Sequence, residues 1–343
     1  MESQLLKTGG TLCADDQSII CRFPAHRLTL STSLYNGGYL LAEAIFNHRL
    51  SLFVNSETDL PGGNLENYLA LVADERGLNR DRTTGLLTSA EMHCRGYHAL
   101  TYKNLTVETV ATAGVDQNAA RAGDCACYYE DNGRYHPIGG TINILTFTNA
   151  KLAYGTLAKA LVTITEAKTS ALQELAVKSS CTQGSATGTG TDGIIITSDP
   201  ASPLLCTDAG TQSKLGELLC LTVRAAVKQA LALQCKIDPR RQGSVQERLR
   251  RLELTMTMGC RPDSLPESGQ ARLLLAMSQS IWQEYCWGLL GLSELYQFLH
   301  FLETPSLQPL GISLASALRA KTSALRQDLP LQDGTNGDFF PDY

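Results

Sequence analysis

The sequence of 343 residues lacks any apolar run of about 18 residues, the length that a helix needs to cross a bilayer. It also lacks a strong charge of one sign, with a formal net charge of −5 and a pI near 5.7. No basic stripe is therefore present to replace the counterions of a nucleic acid. The first ten residues have neither the basic start nor the apolar core of a secretion signal. We expect a cytoplasmic protein that binds neither nucleic acid nor membranes.

Several common catalytic and metal-binding patterns are also missing. The 11 cysteines are scattered singly and form no CxxC pair, which favours reduced thiols over a disulfide framework. His93, Cys94 and His98 are three candidate metal ligands, but a structural role is the better interpretation of this loose group. No GxSxG, HExxH or P-loop motif occurs. No catalytic triad or metal site is predicted from these patterns.

Apolar periodicity predicts an α+β fold with a mixed, largely antiparallel sheet or sheets covered by two long helices. A short helix is expected to begin after Asn64 and to end near residue 73, with Asn64 as its cap. A tight turn is expected at Pro24–Ala25, and the strand at 141–148 alternates enough to have one wet face. Strands are expected at residues 11–14, 18–23, 26–31, 50–54, 85–90, 97–102, 105–113 and 141–148, and long helices at 154–176 and 211–233.

No strand pattern follows residue 234, and a Pro/Arg/Gly-containing break begins at Asp238. We predict an α+β domain at residues 1–236, a small all-helical region at 237–327, and a disordered acidic tail at 328–343. The helical region contains many aromatic residues, including Trp282 and Trp287. It is therefore expected to pack on the first domain or to form a homo-oligomer.

A polar loop, QGSATGTGTDG at residues 183–193, leads directly into a run of three isoleucines. Its glycines can turn backbone N–H groups towards a ligand. Its other candidate ligand-binding groups are the hydroxyls of Thr187, Thr189 and Thr191 and the carboxylate of Asp192. Composition alone leaves a flexible connector as an equal alternative.

Lys168 falls within the apolar stripe of the helix at 154–176, whereas Glu166 falls on the opposite, solvent-facing side. A buried and unpaired ammonium group costs several kcal/mol, roughly, so Lys168 must extend to solvent or meet a partner. A structural ion pair and a role in the site both satisfy this requirement.

Separate motifs of the chain resemble the adenosylcobinamide amidohydrolase family. They are ARAGD at 120–124, GTINI at 140–144, TEAKT at 165–169, TGTGTDG at 187–193 and KLGE at 214–217. The segments NGG at 36–38 and TGLLTSA at 84–90 agree with the family as well. Several motifs in one order are more specific than any single loop. The resemblance covers about residues 10–235 and leaves out the helical region.

The resemblance implies hydrolysis of the amide that joins aminopropanol to the corrin ring of adenosylcobinamide, giving adenosylcobyric acid for cobalamin salvage. A corrinoid would be the substrate, and cobalt would enter only as part of it. No resident cofactor or metal is assigned, and metal dependence is left open. The alternatives are a corrinoid or nucleotide carrier without activity, and an amidohydrolase that acts on another amide.

The resemblance carries no catalytic assignment, so the roles of individual residues are hypotheses. Asp192 would act as a general base that orients water, or the hydroxyl of Thr141 or Thr191 would attack directly. Lys168 would stabilise the oxyanion or assist the leaving amine. The predicted substrate-binding residues are Asn36, Gly37, Gly38, Ser89, Asn118, Arg121, Asp124, Asn143, Thr187, Gly188, Thr189 and Gly190.

Overall fold

The computed structural model describes residues 2–52, 57–125, 141–182, 184–242, 269–286 and 292–327. The chain divides into two compact units, Met1–Asp238 and Pro239–Tyr343. Several predictions fall outside the described residues: those for the first residue of the GTINI motif, Trp287, the end of the predicted strand at 53–54 and the tail at 328–343.

The strands of the first unit are short apart from two long ones, β3 and β4. In chain order they are β1 (Glu2–Leu5), β2 (Thr11–Ala14), β3 (Ser18–Ser31), β4 (Gly38–Arg49), β5 (Thr83–Thr88), β6 (Gly96–Tyr102), β7 (Leu105–Ala113), β8 (Ala119–Ala120), β9 (Ile142–Thr148), β10 (Lys151–Leu152), β11 (Gly188–Thr189), β12 (Gly193–Ser198) and β13 (Leu205–Cys206).

Nine of these strands form one curled, mostly antiparallel sheet. Its order is β6-β7-β9-β12-β3-β4-β5, and β2 pairs with the first half of β3 and carries β1 at its other edge. The parallel pairs of the sheet are β9 with β12 and β4 with β5. The short strands β8 and β11 pair with each other, as do β10 and β13.

The helices of the first unit are α1 (Leu65–Glu75), α2 (Tyr154–Glu174) and α3 (Lys214–Cys235). The second unit contains α4 (Pro239–Gln242), α5 (Gly269–Cys286), α6 (Leu292–Leu302) and α7 (Leu310–Gln327). Short 3₁₀ turns lie at 57–59, 80–82, 92–94 and 305–307. Asn64 caps α1 as expected, because its side chain accepts a hydrogen bond from the Asn67 N–H.

The central part of the sheet of the first unit is buried on both faces. Helices α2 and α3 pack on the outer side of β7, β9 and β12, and their cluster includes Ile164, Val223 and Ile194. The curled inner side encloses a second cluster, and α1 covers a third on the outer side of β4 and β5. Helix α3 is long and apolar enough to span a membrane, but half of its apolar window is buried, as in the core helix of a globular domain.

The predicted α+β fold class is confirmed, and several element predictions are corrected. All seven residues of β9 are buried, so the expected wet face is wrong. The two predicted strands at 18–23 and 26–31 are one strand, β3. A register shift against β4 between Arg22 and Arg27 takes the place of the expected turn at Pro24–Ala25. Residues 50–52 are not a strand, whereas 38–49 are.

The second unit has a core of its own, formed by α5, α6 and α7. Buried members of this core include Leu275, Trp282, Leu299 and Leu318. Its surface also carries apolar residues, among them Tyr296, Phe301 and Ile312. A homo-oligomer formed through this unit stays a prediction.

Candidate active site

Asp192 and Lys168 form a buried ion pair at the amino-terminal end of β12. The Asp192 Oδ2 atom contacts the Nζ atom of Lys168, which extends from the second half of α2. The two side chains are only 10% and 8% exposed. Of the two outcomes expected for Lys168, extension to solvent or a partner, the structure shows the partner, which the polar loop supplies. Removing either member would leave an uncompensated buried charge.

The carboxylate of Asp192 is enclosed by further donors. Its Oδ1 atom accepts hydrogen bonds from the Ile142 N–H at 3.1 Å and from the Thr189 hydroxyl at 2.5 Å. The Thr189 N–H is shared between both oxygens, at 3.1 Å from each. The loop therefore folds around its own carboxylate, and two strands and one helix meet at this side chain.

Gly188 lies directly against the ion pair. A Cβ atom built on it would be 2.3 Å from Asp192 Oδ2 and 2.6 Å from Lys168 Nζ. The absence of a side chain at Gly188 thus makes room for the charged groups. Gly190 differs, because it is exposed and a Cβ atom there would meet nothing within 4 Å.

The two threonines predicted as possible nucleophiles lie beside this pair in different environments. Thr141 is buried, and its hydroxyl donates to the Thr191 carbonyl at 2.6 Å. Thr191 itself is exposed. A substrate arriving from solvent can therefore reach Thr191 more directly than Thr141.

Asn143 connects the site with the interior of the curled sheet. Its amide donates to Asn47 Oδ1 at 2.7 Å and to the Leu87 carbonyl at 2.9 Å, and Asn47 donates to the Thr112 hydroxyl at 2.9 Å. A direct contact between the Asn143 amide and a substrate would require these bonds to change. Asn47 is not predicted from the sequence, because its partners are distant in the chain and no short motif contains it.

Asp124 fixes the ARAGD segment to Ser179 and Thr182, which precede the polar loop. Its carboxylate accepts bonds from the Arg121 N–H at 2.7 Å, the Ser179 hydroxyl at 2.6 Å and the Thr182 hydroxyl at 2.7 Å. Burial opposes ionisation, but these bonds and the Arg121 charge outweigh it and lower the pKa of Asp124. A further bond attaches this segment to the polar loop itself, because the Ala122 N–H donates to the Thr187 hydroxyl at 2.9 Å. Asn118 lies half-buried just before this segment.

The Asn36-Gly37-Gly38 turn connects β3 to β4, and the residues that lead into it lie beside the start of β12. The Ile194 N–H donates to the Thr32 hydroxyl at 2.9 Å, just before the turn. Asn36 adopts a φ of 49°, and its amide donates to the carbonyls of Arg80 and Thr83 at 2.8 Å each. The amide of Asn36 therefore holds the turn in place. Another predicted residue, Ser89, is exposed just after β5.

Metal ligands do not converge in the part of the chain that the structure describes. No group of three or more His, Cys, Asp or Glu side chains there is placed to hold a metal ion.

The fold and the site define an α+β protein with a charged, hydroxyl-lined centre at one end of its curled sheet. A sequence model of the adenosylcobinamide amidohydrolase family matches residues 5–239, a span that contains the whole centre. The chain belongs to the adenosylcobinamide amidohydrolase family, and the resemblance seen in its motifs is confirmed.

Other comparisons add one uncharacterized relative and two remote structural likenesses. An uncharacterized protein of Methanocaldococcus jannaschii is 32% identical over 235 residues, which are 65% of this chain and 89% of that protein. A crystal structure of a Pyrococcus horikoshii OT3 protein gives a TM-score of 0.32 at 11% identity, over 68% of this chain and 81% of that one. A Burkholderia β-aminopeptidase gives 0.30 at 12% identity, over 74% and 87%. Likenesses this remote do not inform the function.

Proposed function

We propose that the protein hydrolyses the amide between aminopropanol and the corrin ring of adenosylcobinamide and releases adenosylcobyric acid for cobalamin salvage. The observation that carries this proposal is the family match over residues 5–239, within which the ion pair and the surrounding hydroxyls converge. An enzyme of this kind needs a proton acceptor and a group that stabilises the oxyanion. Asp192 and Lys168 supply both within one buried centre.

Lys168 is the oxyanion-stabilising group in this proposal. Its ammonium is buried on the helix side of the sheet and is oriented by Asp192. A positive charge in a site with little water acts strongly on developing negative charge, and one such donor is worth about 3 kcal/mol of barrier lowering. In this proposal the same ammonium gives a proton to the leaving aminopropanol nitrogen.

Asp192 is the general base, and it must first release one of its donors. The N–H groups of Ile142 and Thr189 belong to the backbone and are fixed, whereas the Thr189 hydroxyl and the Lys168 ammonium can turn away. A substrate carbonyl that attracts Lys168 would therefore free one Asp192 oxygen for a water molecule. If a threonine attacks instead of water, Thr191 is the accessible candidate.

The test is to incubate the purified full chain with adenosylcobinamide in water enriched in ¹⁸O. We expect mass spectrometry to find aminopropanol and adenosylcobyric acid with one ¹⁸O in the new carboxylate. Parallel samples with and without a chelator establish metal dependence. Intact substrate after incubation with folded protein would overturn the proposal.

A corrinoid carrier without hydrolytic activity is the second candidate. It is favoured by the crowded surroundings of Asp192, because a carboxylate already bonded to protein donors also suits a structural ion pair. The same incubation separates the two functions, since a carrier would bind adenosylcobinamide tightly and return it unchanged. A panel of other amides would reveal a different amidohydrolase.

A further inference from the structure

Two tyrosines form an exposed aromatic pair at the border between α2 and β4. Tyr39 is 45% exposed and Tyr154 is 60% exposed. Their ring centroids are 4.8 Å apart with an interplanar angle of 84°, and the Tyr39 hydroxyl donates to the Tyr154 carbonyl at 2.8 Å. Leu41, two residues along β4, is 43% exposed. We call Tyr39, Leu41 and Tyr154 the tyrosine platform.

The platform lies on the same face of the sheet as the ion pair. Tyr39 pairs with Leu30 of β3, and Leu30 pairs with Ile196 of β12. Residues directly opposite each other in a sheet point to the same side. Leu30 and Ile196 both pack in the core under α2. Asp192 is an even number of residues before Ile196 and meets Lys168 of α2, so its side chain continues the same face.

The strand geometry also sets the distance between the platform and the ion pair. Tyr39 is two strands away from Ile196, and Asp192 is four residues before Ile196. With strands about 4.8 Å apart and a rise of about 3.3 Å per residue, Tyr39 is about 16 Å from Asp192. This separation suits a ligand with a broad ring and extended side chains.

Exposed residues adjoin both places, and most of them are small, although Leu34 is bulky and 53% exposed. Gly38 adjoins Tyr39 and is exposed. A Cβ atom added to it would have no neighbouring atom within 4 Å. Thr32 and Thr191 are exposed as well, and Thr32 is bonded to Ile194 at the start of β12. Gly38 and Thr32 therefore offer small groups beside the platform and the start of β12, and Thr191 offers its hydroxyl beside the ion pair.

We propose that the tyrosine platform binds the face of the corrin macrocycle while one peripheral amide of the corrinoid reaches Asp192 and Lys168. This inference rests on the proposed function, because a flat, conjugated ring bearing long amide side chains is the shape that the two places accommodate together. Aromatic rings contact such a face well, and the exposed residues Thr32, Gly38 and Thr191 suit the other amides. The platform would thus determine which macrocycle is held and leave the chemistry to the ion pair.

The test compares Tyr39→Ala and Tyr154→Ala with Tyr102→Ala in the full chain. Tyr102 is a matched control, since it is also 45% exposed but belongs to β6 at the opposite edge of the sheet. We expect each platform variant to raise the KM for adenosylcobinamide about tenfold, the size of one good aromatic contact, with kcat within about threefold of wild type. Tyr39→Phe should keep the ring contact and bind nearly as wild type.

Equilibrium dialysis with adenosylcobyric acid is the second readout, because this product keeps the macrocycle and lacks the amide that is cut. Its Kd should rise in Tyr39→Ala and Tyr154→Ala and stay unchanged in Tyr102→Ala. Wild-type KM and Kd values in both platform variants would overturn the inference while leaving the hydrolysis intact. Corrinoid binding by the wild type without turnover would overturn only the hydrolysis, and absence of corrinoid binding would overturn both.

Discussion

Gly188 lies so close to Asp192 that a Cβ atom on the glycine would come within 2.3 Å of the carboxylate Oδ2 atom. Gly188→Ala must therefore displace Asp192, Lys168 or the loop backbone. We expect a loss of about 1–3 kcal/mol in the free energy of unfolding, the usual cost of overpacking. Thermal melting of the full chain measures it.

Gly190→Ala is the matched control for this change. It lies two residues away in the same loop, and an added methyl group there would meet open space. Its melting temperature should stay within about one degree of wild type, because surface changes away from special contacts have small effects. Equal melting temperatures for Gly188→Ala and wild type would contradict the tight packing around the ion pair.

Asp192→Asn should lower turnover of adenosylcobinamide by at least about 100-fold, the lower end of what a positioned general base contributes. The substitution keeps the size of the side chain but removes its charge and its ability to accept a proton. Corrinoid binding, measured by dialysis, should change far less than kcat. Asp116→Asn is the control, since Asp116 is exposed in the same unit. Near-wild-type turnover of Asp192→Asn would rule out the proposed role.

The residue types at Lys168 and Asp192 make them candidate members of one site, but the sequence does not predict which donors surround the Asp192 carboxylate. The wheel of α2 places Lys168 in an apolar stripe, where it must extend to solvent or meet a partner, and Asp192 is the only carboxylate of the loop at 183–193. The Thr189 hydroxyl was expected to face a ligand, yet it bonds Asp192. Loop composition shows which groups are available, whereas the direction of each group depends on backbone angles that composition does not fix.

The elements that escaped prediction are those whose structure depends on distant partners. Strand β4 contains the buried run Ala44–His48 without strict alternation, because α1 covers one of its faces and the sheet interior the other. The same double burial removed the wet face expected for β9. Asn47 and Asn143 bond each other across 96 positions of sequence. Alternating hydrophobicity identifies a strand with one buried face, but a strand buried on both faces has no such alternation.

The stability of the protein should depend on His48 in mildly acidic solution. Its ring bonds the Ser18 hydroxyl at 2.8 Å and the Tyr68 hydroxyl at 3.2 Å. Burial, aided by the nearby Arg76 charge and opposed by Asp15, lowers the pKa of His48 from 6.5 to about 4. The unfolded chain therefore binds a proton between pH 6.5 and pH 4 that the folded chain does not bind.

Stability is fully present above pH 6.5 and is lost as pH falls through this window. A shift of this size corresponds to about 3 kcal/mol. The measurement is urea unfolding at several pH values, in which His48→Gln should show a flatter dependence than wild type. His93→Gln is the control, because the His93 side chain is 71% exposed. Parallel pH curves for His48→Gln and wild type would contradict the assignment.

Residues 1–238 should form an active unit without the remainder of the chain. The family match ends at residue 239, and the first compact unit ends at Asp238. A cut after Asp238 preserves Ile237, which packs in the core with α2 and α3 and whose N–H donates to the Leu231 carbonyl at 3.2 Å. We expect the truncated chain to keep its kcat within about threefold of the full chain.

The solubility or the oligomeric state of the truncated chain should change instead, because the second unit carries exposed apolar residues. Size-exclusion chromatography with light scattering measures this change. A truncated chain with a wild-type circular dichroism spectrum and no hydrolysis would show that the second unit contributes to the active site.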